Sequence, residues 1–332
     1  LNVLVTSISR KIPLINEVQK AGNKLGINSL IYGADSNSEA IGKFFVDHFW
    51  HMPLLNELKI EDLITYCKSN DIKAIIPTRD GELVFYSKYK ELLRENNINV
   101  MISDETTIKN CLDKLAYFSI AKERGYPAIN TYVDIEDITC DSFVVKERYG
   151  AGAKKIGINL TKQEAIRHSK YLKKPIFQPF IKGQEYSVDI FIDMMGKIKG
   201  SVVRKRDLVL NGESQITTTI SFTRLEILCE QFASELKFYG HIIMQVIVDF
   251  EGNIHFIECN PRFGGASTLS IAVGLDSFYW FLLEVRGFNL DDISFERSKS
   301  EKKLIRYPKD WILDIEEKEK FLQNKNEIFY PK

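Results

Sequence analysis

Over its first hundred residues the chain alternates two kinds of segment, and few folds accommodate that alternation. "NVLVTSIS" is a short β-branched run, and "PLINEVQKAGNKLG" follows with helical spacing and a glycine stop. "INSLIYGAD", "IKAIIPT" and "INVMIS" read as further strands, with "EDLITYCKSND" and "ELVFYSKYKELLRENN" as helices between them. Strands joined by helices of this length imply a parallel sheet with helices on both faces. Such a unit invites a dinucleotide reading, which the first loop disfavours. Where a Gly-x-Gly-x-x-Gly turn is needed the chain has "TSISRK". Without those glycines the backbone cannot approach a pyrophosphate closely. Asp35 then reads as an ordinary loop acid, and a nicotinamide enzyme is disfavoured.

From "DETTIKNCLDKLAYFSIAKERGYP" the pattern changes. Asp104 is expected to cap one helix running to the Gly125–Tyr126–Pro127 stop. Then come strand "SFVVKERY", loop "GAGAKK", strand "IGINL", helix "TKQEAIRHSKYL" and strand "IFQPF". Strand "EYSVDIFID" turns through Met195–Gly196 into "IKGSVVRKRD", and helix "RLEILCEQFASELKF" precedes a last hairpin, "HIIMQVIVDFEGNIHFIECN". The chain is therefore α/β followed by α+β with mostly antiparallel sheets. Phe278–Val285 reads as a buried helix, and the charged stretch after Gly287 carries no pattern.

The 45 basic and 45 acidic residues balance, so no global field favours nucleic acid or a membrane surface. No apolar run is long enough to cross a bilayer, and Leu1–Ser9 is too short for a signal peptide. Five dispersed cysteines without a CxxC pair suit a reducing cytoplasm and argue against zinc or a disulfide framework. His48 and His51, in "VDHFWHMP", lack nearby ligands and read as surface or packing residues.

The last hairpin spends alternate positions on polar groups. A turn at Glu251–Gly252 sets Gln245 opposite Glu258, and one at Gly252–Asn253 sets it opposite Asn260. Either register puts Gln245, Glu258 and Asn260 on one face, with Ile257 and Cys259 on the apolar one. Three hard oxygen donors suit Mg²⁺ (or Mn²⁺) completed by waters and phosphates. The competing reading is a solvent-washed polar face. Arg262, two residues on, favours a ligand, because a guanidinium clamps phosphoryl or carboxylate groups bidentately.

Lys146 and Arg148 lie two apart on a strand before the Gly/Ala loop, which points to phosphate rather than a plain flexible hairpin. The loop is not a Walker A sequence. In "QPFIKGQEYSVDIF" a strand halts at Pro179 and resumes after Gly183, leaving edge groups able to read an adenine. Glu185 beyond it suits ribose hydroxyls or is a surface acid. Lys114 alone is anonymous. Arg204 and Arg206 share a strand face, with Glu213 past the turn. They orient an anionic substrate or the closed loop, or form an exposed basic strand, and these readings stay open. Ser7, Arg79, Asp80 and Glu82, at strand ends, touch a substrate or simply end strands.

Taken in order, "VVKERYGAGAKK", "FIKGQEYSVDIF" and "IECNPRFGGAS" resemble the ATP-grasp superfamily, from the first strand to about Gly287. The likeness is nearest to one synthetase half of the carbamoyl-phosphate synthase large subunit and to stand-alone carboxylate–amine ligases. It implies an ATP-grasp fold with an N-terminal Rossmann-like (pre-ATP-grasp) parallel-sheet domain over residues 1–107. A small subdomain with the phosphate-covering loop would span 108–176, a C-terminal subdomain with the Mg²⁺ site 177–290, and an extension 291–332. ATP would be cosubstrate. The resemblance carries Lys114 and Lys146 onto its phosphates, Arg148 being the strand's second cation, and Gly150, Ala151, Gly152 and Ala153 onto the covering loop. It carries Gln178 and Phe180 onto the adenine edge, Glu185 onto ribose, Gln245, Glu258 and Asn260 onto the metal, and Arg262 onto the transferred phosphoryl group.

Two departures stand out. Gln178 replaces the family's common Glu, and Gly265 stands where carbamoyl-phosphate synthase halves carry a second arginine. The expected activity is ATP-dependent ligation of a small carboxylate, or bicarbonate, to an amine or ammonia through an acyl phosphate. Alternatives are a bicarbonate-phosphorylating component like that of carbamoyl-phosphate synthase or a biotin carboxylase, or a non-catalytic ATP-binding regulator. Neither nucleic acid nor membrane is an expected partner, a cytoplasmic location is expected, and a homodimer is the default.

Overall fold

The computed structural model describes residues 1–26, 29–150, 152 and 155–312. Its first part carries β1 (Asn2–Thr6), α1 (Ile12–Lys24), β2 (Ile31–Asp35), β3 (His48–His51), α2 (Ile60–Ser69), β4 (Ile72–Ile76), α3 (Asp80–Lys88), α4 (Lys90–Glu95) and β5 (Asn99–Val100). The strands form one parallel sheet in the order β3-β2-β1-β4-β5. Strand β3 is a finding, since the sequence offers His48 and His51 only as surface or packing residues. It pairs with β2, and the His48 ring stacks on Tyr32 at 4.6 Å between centroids. A four-residue edge strand with every side chain partly exposed offers no alternation to read.

The helix expected from Asp104 to Gly125 is two, α5 (Glu105–Leu112) and α6 (Lys114–Glu123). Asp113 between them is extended, and its Oδ1 accepts from the N–H groups of Leu115 (3.1 Å) and Ala116 (3.2 Å). A carboxylate that caps a new helix ends the old one, because it satisfies donors a continuing helix would have bonded itself. Asp104 stands at the start of α5, but its carboxylate goes to Lys90 instead, at 2.9 Å.

Next come β6 (Phe143–Glu147), β7 (Gly157–Leu160), α7 (Lys162–Ser169) and β8 (Pro175–Pro179), the strands making a sheet in the order β7-β6-β8. Helix α7 starts in a reciprocal box: Thr161 Oγ1 accepts from the Glu164 N–H, and the Glu164 carboxylate accepts from the Thr161 N–H. This unit has a small core of its own, built on Phe143, Val145, Leu172 and Phe177.

The rest is β9 (Gly183–Ile192), β10 (Ile198–Leu210), β11 (Glu213–Ile220), α8 (Thr223–Ser234), β12 (Gly240–Asp249), β13 (Ile254–Asn260), α9 (Thr268–Ile271), α10 (Ser277–Val285) and β14 (Lys303–Ile305). An antiparallel sheet runs β13-β12-β9-β10-β11-β14. The charged stretch after Gly287 thus returns to the sheet edge as β14. One hydrophobic core joins this sheet to the N-terminal one: Val3, Val5 and Ile76 pack in the same cluster as Phe191, Val202, Phe278 and Phe281. Burying large side chains at about 25 cal/mol per Å² makes that seam hard to open. Among the described residues no helix is long and apolar enough to cross a membrane.

Candidate active site

A cleft of about 660 Å³ lies where the three sheets meet, and among the described residues its walls carry seven cations against four carboxylates. A hollow of about 730 Å³ beside Pro127, Ile227 and Leu228 is lined mostly by apolar or neutral groups, with Arg224 its one charged residue. Convergent polar groups mark the cleft as the candidate site.

Strands β12 and β13 supply its floor. Gln245 pairs directly with Glu258, the first of the two registers the sequence allowed. The turn itself differs: the Asp249 N–H donates to the Asn253 carbonyl (3.0 Å), so three residues bridge the strands instead of two. A register shift between Gln245 and Val246 compensates, and it leaves Ile257 as the extra residue of a bulge. Ile257 therefore lines the cleft beside Glu258, whereas the sequence put it on the apolar face. Cys259 and Phe256 do point into the core. Asn260 Nδ2 donates to Glu258 Oε1 at 3.3 Å.

Facing this floor are Lys114, the first residue of α6, and Lys146 from β6. Lys114 Nζ sits 3.9 Å from Glu258 Oε2 and donates to the Gly150 carbonyl. Burial lowers the Lys146 ammonium to about 8, with Lys114 pushing the same way and Glu258 and Glu185 opposing. Arg148 does not share its face. Strand β6 ends at Glu147, and the Arg148 guanidinium turns away to form two bonds with Asp113, Nε to Oδ1 at 2.7 Å and Nη2 to Oδ2 at 2.5 Å. Burial would raise the Asp113 carboxyl, but Arg148 and the helix N–H groups outweigh it and hold it below the usual range. Gly150 and Gly152 line the cleft, and Gly152 has a φ of +68° that favours glycine. Ala151 and Ala153 lie outside the described residues.

Gln178 and Phe180 are not in the cleft lining. The Gln178 side chain donates to Thr131 Oγ1 (2.7 Å), and the Phe180 N–H donates to the Ser142 carbonyl (2.9 Å). A ligand edge reading that N–H would have to displace Ser142. Glu185 does line the cleft, held 3.0 Å from Arg206 Nη1.

Arg204 and Arg206 are buried, which removes the exposed-strand reading. Arg206 also donates to Gln245 Oε1 (3.0 Å), Ser214 Oγ (3.2 Å) and the Gly212 carbonyl (2.7 Å). Arg204 is committed to Asp189, which also receives His241, Ser267 and Ser270. Burial alone would push the Asp189 carboxyl up; Arg204 and His241 prevail and keep it charged, far below the usual carboxylate range. Sequence reasoning missed Asp189, because an Asp in an apolar strand gives no sign of its partners.

Arg262 closes the far end. Its Nε and Nη2 both donate at 2.6 Å to the two oxygens of Asp80, the first residue of α3. Burial opposes the Arg262 charge, and Asp80 more than restores it. Ser7 is not in the cleft lining, and its Oγ donates to the buried Glu82 carboxylate at 2.7 Å. Glu82 also accepts from the Thr78 (2.6 Å) and Arg79 (2.9 Å) N–H groups, so it ties the two strand-end loops together behind Asp80. Lys11, Glu213 and Arg306 complete this end. Lys11 follows Arg10 at the end of "TSISRK", where only the place of the stretch after the first strand pointed to a substrate, and no motif flags Arg306.

Residues 172–304 match the family model described as ATP-grasp in the biosynthetic pathway with Ter operon, and residues 3–101 match the one described as PylC-like, N-terminal domain. The chain belongs to the ATP-grasp superfamily. Its relatives there are ATP-dependent ligase-type enzymes.

No curated protein matches the sequence of this ATP-grasp chain. Among solved structures it is similar to the biotin carboxylase domain dimer of Hydrogenobacter thermophilus 2-oxoglutarate carboxylase, crystallised with MgADP, ADP and bicarbonate. The TM-score is 0.74 at 19% identity, over 91% of this chain and 73% of that one. Campylobacter jejuni biotin carboxylase gives 0.74 at 14% identity, over 91% and 74%. N5-carboxyaminoimidazole synthetase from Staphylococcus aureus gives 0.68 at 16%, over 89% and 79%. At these identities the likeness is one of fold.

The ATP-grasp site can be tested for its metal by donor chemistry. Among the described residues no three His, Cys, Asp or Glu side chains converge. A divalent ion would have Glu258 as its carboxylate and the amide oxygens of Gln245 and Asn260 beside it. That set is hard enough for Mg²⁺ or Mn²⁺ but short of charge, so it fits an ion that arrives with a polyphosphate.

Proposed function

We propose that this protein activates a carboxylate as an acyl phosphate at the expense of ATP and joins it to an amine or ammonia. The observation that carries the reading is a single cleft in which Lys114 and Lys146 face Glu258 while Arg262 lies at the end beside the N-terminal sheet. Lys114 and Lys146 hold the ATP phosphates, Glu185 accepts from ribose, and Gln178 and Phe180 border the adenine once the Phe180 N–H leaves the Ser142 carbonyl. Gly150 and Gly152 let the loop lie close over the phosphates. When held by Glu258, Gln245 and Asn260, Mg²⁺ or Mn²⁺ supplies neutralisation of the polyphosphate charge.

A carboxylate oxygen attacks the γ-phosphorus and ADP leaves, with Arg262 balancing charge on the phosphoryl oxygens. Asp80 keeps the Arg262 plane fixed, so little reorganisation accompanies the transfer. The amine then attacks the acyl carbon, expelling phosphate and losing a proton. Closure of the loop excludes water from the acyl phosphate. The working domain division is 1–107, 108–176, 177–290 and 291–332.

Bicarbonate as the acceptor is a second reading, favoured by the bicarbonate present in the H. thermophilus carboxylase structure. That structure's dimer likewise makes a homodimer the form to test for here, by light scattering. The deciding experiment is phosphate release from Mg·ATP across carboxylates and bicarbonate, each with and without amines. We expect release that depends on one acceptor and disappears in Glu258→Ala and Arg262→Ala. Release with bicarbonate alone would select the second reading. Tight ATP binding without stimulation by any acceptor would count against ligation.

A further inference from the structure

The end of the cleft beyond Arg262 holds two cations from opposite ends of the chain, neither belonging to the phosphate-binding set. Lys11 follows the β1 loop. Its ammonium is mostly buried and, among the described residues, has no hydrogen-bond or ion-pair partner, while Arg262 and Glu213 both lie close enough to act on it electrostatically. Burial and Arg262 lower its proton affinity by more than Glu213, Asp80 and Glu82 raise it, and none of these carboxylates bonds the ammonium, which leaves it open to a ligand anion.

Arg306 comes from the other terminus. It lies two residues beyond the stretch matched by the family model, on the residue after β14. Two contacts aim it. The Arg306 N–H donates to the Gln215 carbonyl at 2.9 Å, continuing the β11–β14 ladder, and Nη1 donates to Glu213 Oε2 at 2.7 Å. The guanidinium then lies against Gly265, where any Cβ would collide with it. The absence of a side chain at position 265 is therefore space that Arg306 uses. Among the described residues that line this end, Lys11, Arg262 and Arg306 meet one carboxylate, Glu213, while Asp80 and Glu82 stand behind Arg262, so the wall itself presents cations to a ligand.

We propose that Lys11 and Arg306 form the acceptor subsite, binding the substrate carboxylate next to Arg262, so that strand β14 is part of the active site. This inference rests on the ligase reading for the acceptor's role, but anion binding there is measurable without turnover. The ammonium supplies a compact donor and the guanidinium a planar one, and between them the carboxylate is fixed for in-line attack.

The test is saturation-transfer NMR of a fixed set of probes (acetate, lactate, succinate, glutarate and glutamate) on the full chain, with and without Mg·ADP. Wild type should bind at least one probe. Lys11→Gln and Arg306→Gln should each weaken that probe about tenfold, the effect of losing one charge-assisted hydrogen bond, while Mg·ADP affinity changes less than about twofold. Arg306→Lys should recover part of the binding. Gly265→Ala, which keeps every charge but displaces the guanidinium, should weaken the probe as well. Binding that persists in both charge variants, or no probe binding to wild type, overturns the subsite. Equal loss of Mg·ADP would assign these cations to the nucleotide instead. Carboxylate binding intact in a protein that does not bind Mg·ADP would sink the ligase reading and leave the subsite standing.

Discussion

Lys146 is a cation whose charge costs the fold something. Its proton affinity is lowered to about 8, while an unfolded chain keeps the ordinary lysine value, so between those two the unfolded state binds a proton the native state lacks. Ligand-free stability should therefore rise with pH across that window. Nucleotide reverses the balance, because phosphates beside Nζ restore the charged form. Mg·ATP binding at pH 8.5 should take up protons, and affinity should fall as pH climbs above about 8. Calorimetry in two buffers of different ionisation enthalpy measures the uptake, and Lys146→Met should abolish it; equal heats in both buffers would contradict the assignment. Asp80 makes a second residue-scale prediction. Asp80→Asn loses the charged clamp on Arg262 and should slow acceptor-dependent phosphate release by about 100-fold, the scale of a misplaced catalytic group, while Mg·ATP affinity holds in a direct binding assay.

Elements here are locked by buried polar groups as much as by apolar ones. Asp189 lies on β9, and its partners lie on β10 (Arg204), β12 (His241) and in and before α9 (Ser270, Ser267). One carboxylate thus fixes three strands and the loop after Arg262. Asp189→Ala strands a buried guanidinium and should cost about 3–5 kcal/mol in urea unfolding. Asp189→Leu combined with Arg204→Met should lose less than the single variant, since no unpaired charge remains. A loss under about 1 kcal/mol for the single variant would mean water already screens the pair. The elements also mark where sequence patterns stop being readable. Period two put Gln245, Glu258 and Asn260 on one face, and they share it. The bulge that turned Ile257 onto that face was invisible, because it arises from reconciling a three-residue turn with the register at Gln245. The break at Asp113 was equally hidden, since Asp is tolerated in helices and only its cap bonds reveal the boundary.

At the scale of the molecule the cores are unequal. The parallel sheet and the six-stranded sheet share one core through α1 and α10, whereas β6, β7, α7 and β8 close over a small cluster of their own. Opening free energy follows buried apolar area, so this unit should exchange amide protons well before the shared core does. Hydrogen exchange read by mass spectrometry should find Phe143–Glu147 and Pro175–Pro179 less protected than Val3–Val5 and Phe278–Leu283. Saturating Mg·ATP should slow the former selectively, because Lys146 and Gly150 belong to the cleft wall. Uniform protection with and without nucleotide would rule out a moving lid.

Alternation of strand and helix was enough, without coordinates, to set a parallel sheet before antiparallel ones. The ATP-grasp superfamily entered by the resemblance of three ordered segments, "VVKERYGAGAKK", "FIKGQEYSVDIF" and "IECNPRFGGAS", and not by periodicity. Which cations meet was decided only by tertiary structure. Lys146 and Arg148 are two residues apart and part company, while Lys11 and Arg306, nearly the whole chain apart, line the same end of one cleft. Backbone periodicity dictates which face a side chain takes on its own strand. Packing between elements determines what stands opposite it, and the charge, pKa and partners of a site all depend on that opposite wall.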